Sequence, residues 1–165
     1  AYTSVAPIFE LTYRPWGYYG PIFTGNYERG IRGLLGSDTD YERLELDGQY
    51  NYRLSGLSSL QMRAGTGFYT HKGKRNYFLD YANFHEENIP GGWNDEWACS
   101  FELLNRGWYN ASEYYVRANV AYETPLLLMA WVPIAGRLIE KERVYINALS
   151  VRHLHPYVEL SLIHI

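Results

Sequence analysis

Residues 43–54 alternate between polar and apolar side chains, with Gly48 on the apolar side, and this alternation constrains the fold more than any other feature of the chain. Side chains of a β-strand point alternately to opposite faces, so the leucines and tyrosines share one face and the charged and amide residues share the other. Soluble strands are usually about 5–6 residues long, whereas a strand that crosses a bilayer needs about 9–11 residues, apolar toward lipid and polar toward the lumen. The run therefore predicts a membrane-spanning strand.

The same alternation recurs along the 165-residue chain. Further strand candidates lie at residues 9–14, 23–28, 60–68, 96–103, 112–124 and 143–148, and another begins near Pro156. Turn-forming residues separate them, as at 36–38 and 90–92. This spacing predicts an all-β fold, an antiparallel meander of about seven or eight long strands that forms a transmembrane β-barrel or part of one.

The predicted barrel occupies residues 1–159, and we expect it to be a fragment of a larger barrel. Residues 160–165 resemble translated sequencing adapter, so we expect them to be a non-native C-terminal extension.

The polar faces of the strands at 43–54 and 112–124 carry charges of both signs. Mixed charges at period 2 suit a polar lumen, where ion pairs between strands and water satisfy them. A solvated face of a soluble sheet gives the same alternation, so periodicity alone leaves the inner face undecided. The residues predicted to face the lumen are Arg43, Glu45, Asp47, Arg53, Glu113, Arg117, Asn119 and Glu123.

Composition favours a bilayer over water as the medium of the apolar faces. The chain has 17 tyrosines and 5 tryptophans, and only Lys72, Lys74 and Lys141 of its 15 basic residues are lysines. Tyrosine and tryptophan girdles are typical of the lipid–water boundary. A soluble β core rich in aromatic residues is the alternative, because β-propensity alone enriches both residue types. The net charge of −3 does not indicate a nucleic-acid surface.

The apolar stretch at 125–139 and the single cysteine each bear on the fold. The apolar stretch at 125–139 is too short and too interrupted for a transmembrane helix, and predicts an interfacial segment or a long hairpin. Cys99 is the single cysteine, so an internal disulfide is excluded. Cys99 and Phe101 both fall on the apolar face of the candidate strand at 96–103, where we expect Cys99 to be an inert packed thiol.

Several polar motifs resemble parts of chemical sites, but none is complete. The glycine-rich run at 30–36 lacks the spacing of a phosphate-binding loop and predicts a turn. Asp38 and Asp40 lack the other ligands of a calcium loop. His153 and His155 supply two imidazoles where zinc needs three or four ligands. With no serine in a nucleophile motif, we expect no catalytic residue, no metal and no cofactor.

Four short motifs at 27–42, 80–85, 122–138 and 156–159 occur in an order that resembles a known family. The chain is similar, over most of residues 1–159, to the C-terminal barrel of Bacteroidota outer-membrane proteins of unknown function. Their usual form carries a small N-terminal carboxypeptidase-regulatory-like domain.

The resemblance implies an integral outer-membrane barrel, distantly like the surface-antigen and assembly-insertase superfamily. In that superfamily an Arg-Gly-aromatic motif on an inward loop helps to hold the barrel. Arg32 and Gly33 are the matching positions here, with Leu34 in place of the aromatic residue. The resemblance brings no catalytic residue.

We therefore expect a non-enzymatic protein of the bacterial outer membrane with a role in envelope assembly, transport or translocation. Its expected partner is outer-membrane lipid, with no nucleic acid. The alternative is a soluble eight-stranded barrel of the lipocalin type, with apolar residues inside and a small apolar ligand. A third hypothesis, an outer-membrane hydrolase, has no residue to carry it.

Overall fold

The computed structural model describes residues 2–54, 56–74, 84, 101, 113–125, 141–152 and 154–164. These residues form one seven-stranded antiparallel sheet with two short 3₁₀ turns at Gly17–Tyr19 and Leu34–Gly36. The strands are β1 (Ile8–Tyr13), β2 (Ile22–Gly30), β3 (Tyr41–Arg53), β4 (Ser59–Lys72), β5 (Tyr114–Thr124), β6 (Glu142–Val151) and β7 (Leu154–His164). The prediction of an all-β antiparallel meander is confirmed.

Each strand pairs with its neighbours in sequence, so the strand order is the chain order. Strands β1 and β7 form the two edges, and no ladder joins them within the described residues. Of the predicted strand at 96–103, the structure describes Phe101, and the rest, with Cys99, lies outside the described residues. His153 and residues 126–139 also lie outside them. Residues 160–164, expected to be an extension, form the second half of β7.

The strands are long because their alternation runs without a break. Strand β3 has 13 residues, β4 has 14, and β5 and β7 have 11 each. A register shift between Glu42 and Arg43 bends the β3–β4 ladder at one end. Pro156 lacks a backbone N–H, which an edge strand such as β7 tolerates. No helix in the described part of the chain is long and apolar enough to cross a bilayer.

The connections define two ends of the sheet. End A carries the connections at 31–40, 73–113 and 152–153, and end B carries those at 14–21, 54–58 and 125–141. Strands β1, β3, β5 and β7 run from end A to end B, and the others run back. These two ends fix the position of every residue discussed below.

Candidate functional site

The two faces of the sheet are buried in the opposite sense to those of a soluble sheet. The inner face holds Arg43, Glu45 and Asp47 together with their partners in register, and charged and amide side chains on it are buried. The outer face holds apolar side chains that are exposed, including Val116 at 51% and Leu160 at 73%. In the middle of the sheet, charged and amide groups are thus buried on one face, and apolar side chains are exposed on the other.

The predicted lumen residues divide by their position along the strands. Five of them are buried on the inner face: Arg43, Glu45, Asp47, Arg117 and Asn119. The other three lie toward the strand ends: Glu123 is half-buried at end B, Arg53 is exposed at end B, and Glu113 is partly exposed beside β5 at end A.

Ion pairs hold the buried charges across neighbouring strands. Asp47 accepts a hydrogen bond from Nε of Arg63 at 2.8 Å and a second, through its other oxygen, from Nη2 of Arg117. Arg43 donates to Glu28 in the same way, and Tyr41 donates its hydroxyl to that carboxylate. Charge-assisted bonds of this kind are the strong class of protein hydrogen bonds. Strands β2 to β5 are therefore bridged on their inner face.

Gly65 makes the longest of these bridges possible. It lies on β4, in register with Asp47 on β3 and Arg117 on β5. A Cβ at this position would come within 2.6 Å of Oδ2 of Asp47 and 3.1 Å of Nε of Arg117. The missing side chain leaves the space through which the Asp47–Arg117 pair crosses β4.

Gly67 makes room for an aromatic ring in the same manner. A Cβ there would lie 2.4 Å from Cε1 of Tyr115 and 3.0 Å from Cγ of Glu45. Tyr115 is fully buried, so its ring has little freedom to withdraw. The ring of Tyr115 therefore occupies the space beside Gly67 that a Cβ would need.

We expect Gly67→Ala to lower the free energy of unfolding by about 1–3 kcal/mol, because the added methyl overpacks the Tyr115 ring. Gly56→Ala is the matched control, since a Cβ at Gly56 meets no atom within 4 Å. Urea unfolding of the two variants in detergent measures the difference. Equal stability of the two variants would contradict this packing.

An amide and carboxylate row continues the polar layer to β7. Asn119 donates from Nδ2 to Oδ1 of Asn147 at 3.0 Å, and Asn147 is in register with Glu159. Tyr157 donates its hydroxyl to Glu159 at 3.0 Å. Both asparagines are fully buried, and Glu159 is 5% exposed. The inner face is therefore filled with side chains from β3 through β7.

An apolar cluster closes the inner face at end A. Phe84 and Phe101 come from the long connection at 73–113 and pack with Tyr115, Leu149 and Val151. The rings of Phe84 and Tyr115 meet edge to face, with centroids 4.7 Å apart. The sequence places Phe101 on the apolar face of a candidate strand, and the structure buries it in this cluster on the inner side of the sheet.

Aromatic residues border the apolar band of the outer face at both ends. On β5, Tyr114 and Tyr122 lie on either side of Val116, Ala118 and Val120. The two tyrosines are about 26 Å apart along the strand, at roughly 3.3 Å per residue. The end A rim contains Phe9, Tyr27, Phe68 and Tyr114, and the end B rim contains Tyr13, Tyr50, Tyr52 and Tyr122.

A shallow apolar groove of about 940 Å³ crosses the middle of this band. Its lining contains both small residues and larger apolar side chains. The small residues include Gly25, Gly48, Ala64 and Ala118. The outer face is thus apolar in its recesses as well as on its ridges.

The turn at 31–40 contains the predicted loop motif. Arg32 and Gly33 are both exposed at end A, and Gly33 has a φ of 85°, which glycine adopts at low cost. Gly33 donates its N–H to the carbonyl of Ser37 at 2.8 Å, which closes the turn. The barrel-holding role implied for Arg32 and Gly33 stays a prediction.

The candidate ligand groups are held by local contacts. Asp38 accepts a hydrogen bond from the N–H of Thr3 at 3.2 Å, and Asp40 lies 3.2 Å from Nε2 of His71. His155 is exposed. Within the described residues, no group of three or more histidine, cysteine or acidic side chains is placed to hold a metal ion.

The comparison with protein families finds a match over most of the chain. The model of the C-terminal domain of a family of unknown function, DUF5686, matches residues 15–162. The chain belongs to this family. The DUF5686 match begins in the turn after β1 and extends into β7, so it covers the buried polar layer from end to end. No curated protein and no solved structure matches the chain.

The family match agrees with the resemblance found in the sequence at one level, that of a C-terminal domain of unknown function. The Bacteroidota source, the carboxypeptidase-regulatory-like domain and the relation to the assembly-insertase superfamily stay predictions.

Proposed function

We propose that this DUF5686 domain is an integral β-barrel domain of the bacterial outer membrane, with its outer face against lipid acyl chains. The observation that carries the proposal is the inverted burial of the sheet. Buried charges such as Asp47 and Arg117 lie on the inner face, and apolar residues such as Val116 and Val158 are exposed on the outer face. Membrane barrels have this arrangement of faces.

The free energy of exposing apolar surface favours lipid over water on the outer face. Burial of apolar surface stabilises by about 25 cal/mol per Å², and soluble monomers rarely expose patches beyond a few hundred Å². A soluble barrel of the lipocalin type would direct its apolar face inward. Here charged and amide side chains fill the middle of the inner face from β3 to β7, which is the reverse of a lipocalin interior.

The aromatic rims support the same proposal. Membrane barrels carry an apolar band about 25 Å tall between two aromatic girdles. Tyr114 and Tyr122 are about 26 Å apart along β5, and a strand tilt of about 35–45° shortens this spacing along the membrane normal to roughly 20 Å. The rims are therefore spaced somewhat more closely along the membrane normal than the girdles of membrane barrels, and the spacing is of the same order.

The filled inner face narrows the role that we propose. Arg117, Asn119 and Asn147 are each at most 1% exposed, so the middle of the inner face on β5 and β6 is covered by packed side chains. A passive diffusion pore needs a water-filled channel. We therefore place the domain in envelope assembly or in gated transport or translocation, as a non-enzymatic component.

The expected result of Val116→Arg is a loss of about 2–4 kcal/mol in the stability of the inserted protein, because the charge enters the apolar band. Ala118→Arg lies nearer the centre of the band and is expected to cost at least as much. Folding into lipid vesicles under a urea series measures both changes.

Leu57→Arg adds the same charge at a position that is 70% exposed in the end B turn, and serves as the control. The proposal fails if Val116→Arg and Ala118→Arg fold as well as this control. It also fails if the unmodified protein is monomeric and soluble without detergent.

A further inference from the structure

The two edge strands of the sheet run in the same direction. Strands β1 and β7 are the first and last of seven antiparallel strands, and both run from end A to end B. A direct β1–β7 ladder would therefore be a parallel pair. Bacterial single-chain membrane barrels have an even number of antiparallel strands. An odd number of additional strands between β7 and β1 restores that arrangement.

Among the described residues, none covers the inner face of β1. All six residues of β1 are exposed, and those on its inner face are Ile8, Glu10 and Thr12. The corresponding positions of β3 and β5 are buried. A barrel of eight strands is only just wide enough to be filled by side chains, so closing seven strands would leave less room than these side chains need.

A second copy of the chain does not supply the missing strands. Antiparallel pairing of β1 with β1, or of β7 with β7, would turn the second copy over and place its end A at the other side of the bilayer. Pairing β1 of one copy with β7 of the other keeps the orientation, but both seams are then parallel. Neither arrangement gives the two copies the same orientation in the bilayer together with antiparallel strand pairing between them.

Hydrogen bonds hold the residues that precede β1 at end A. The carbonyl oxygen of Thr3 accepts a hydrogen bond from the N–H of Asp38 at 2.8 Å, and Val5 donates its N–H to the hydroxyl of Ser37 at 3.1 Å. Thr39 donates its hydroxyl to the carbonyl of Val5 at 3.3 Å, and Ser37 and Thr39 are buried. These hydrogen bonds hold Thr3 and Val5 at end A. A preceding strand that runs from end B to end A would finish at this same end.

We infer that the outer edge of β1 binds a strand from the segment of the same polypeptide that precedes residue 2, and that an odd number of such strands links β1 to β7. The adjacent strand runs from end B to end A and connects to β1 through the segment at Thr3 and Val5, which is hydrogen-bonded at end A. Its side chains alternate, apolar outward and polar inward. The inference rests on the proposed barrel. The matched family domain is a C-terminal one, consistent with chain ahead of it.

Photo-cross-linking from β1 tests the inference in the protein expressed from its complete gene. Phe9 and Tyr13 are exposed outer-face aromatics at opposite ends of β1, so either can be replaced by p-benzoylphenylalanine with little disturbance. The cross-linked peptides are identified by mass spectrometry. A mixture of ¹⁵N-labelled and unlabelled protein separates links within one molecule from links between two.

The expected peptides come from the same molecule and precede residue 2. The probe at Phe9 captures residues later in sequence than the probe at Tyr13 does, because the neighbour is antiparallel. Capture of residues 75–112, 126–140 or 154–164 within one molecule, or capture of a second molecule, would each overturn the inference.

A detergent-free solubility assay of the same samples tests the barrel separately. A soluble protein that still links to the preceding segment would overturn the membrane proposal and leave the edge pairing standing. A detergent-dependent protein that links to residues 154–164 would overturn only the edge pairing.

Discussion

Replacing Asp47 with alanine is expected to lower the free energy of unfolding by about 3–5 kcal/mol. Asp47 is the carboxylate shared by Arg63 and Arg117, and the side chain of Arg117 is fully buried. Removing one member of a buried pair leaves the other charge without compensation, which costs more than the pair itself contributes. Urea unfolding in detergent, with fluorescence as the signal, measures the loss.

Glu113→Ala is the control for the loss of a carboxylate. Glu113 pairs with Arg152, and the two side chains are 46% and 53% exposed. Exposed pairs contribute at most about 1 kcal/mol, so this variant is expected to unfold close to the unmodified protein. If Asp47→Ala costs no more than Glu113→Ala, the polar layer does not hold the sheet together.

Phe101→Ala is expected to lower the free energy of unfolding by about 3–5 kcal/mol, the usual cost of truncating a buried phenylalanine. Phe101 is fully buried at end A, and its ring centroid lies 6.2 Å from that of Tyr157. The cavity left by the ring would lie among Tyr115, Leu149 and Val151. Thermal and urea unfolding in detergent both measure the change.

Leu57→Ala removes an apolar side chain that is 70% exposed in the end B turn, and is the control. Its expected cost is within about 0.5 kcal/mol. A Phe101→Ala protein as stable as this control would show that the connection at 73–113 does not contribute to the interior.

The strands were predictable because period-2 alternation is a local property of the sequence. Residues 43–54 and 112–124 gave two strands within a few residues of their observed bounds. Which side of the sheet is inside was not predictable from that alternation alone, because a period of two residues separates the two faces without showing which one is buried. The observed burial shows which face is inside: the charged side chains of β3 are buried.

The contacts within the polar layer depend on register, which the sequence does not give. Gly65 and Gly67 could be assigned to the polar face of β4 from their spacing. That they lie beneath the side chains of Arg117 and Tyr115 follows only from the β4–β5 pairing. Phe84 was harder still, because an isolated aromatic residue in a long connection has no periodicity to reveal its burial. Phe101 falls in the alternating run at 96–103, but alternation does not show which residues a side chain contacts.

The chain-order pairing of the strands has a consequence for how the domain folds. Most adjacent strands are joined by short connections, so each hairpin can form from residues near one another in sequence. Strands β4 and β5 are the exception, since about 40 residues separate them, against about ten between β2 and β3. The extra loop-closure entropy is about 1 kcal/mol. Pairing of β4 with β5, which joins the β1–β4 half to the β5–β7 half, is therefore the expected slow step of folding. Mutations at the β4–β5 pairing, as at Gly65 and Arg117, should change the folding rate more than mutations within either half.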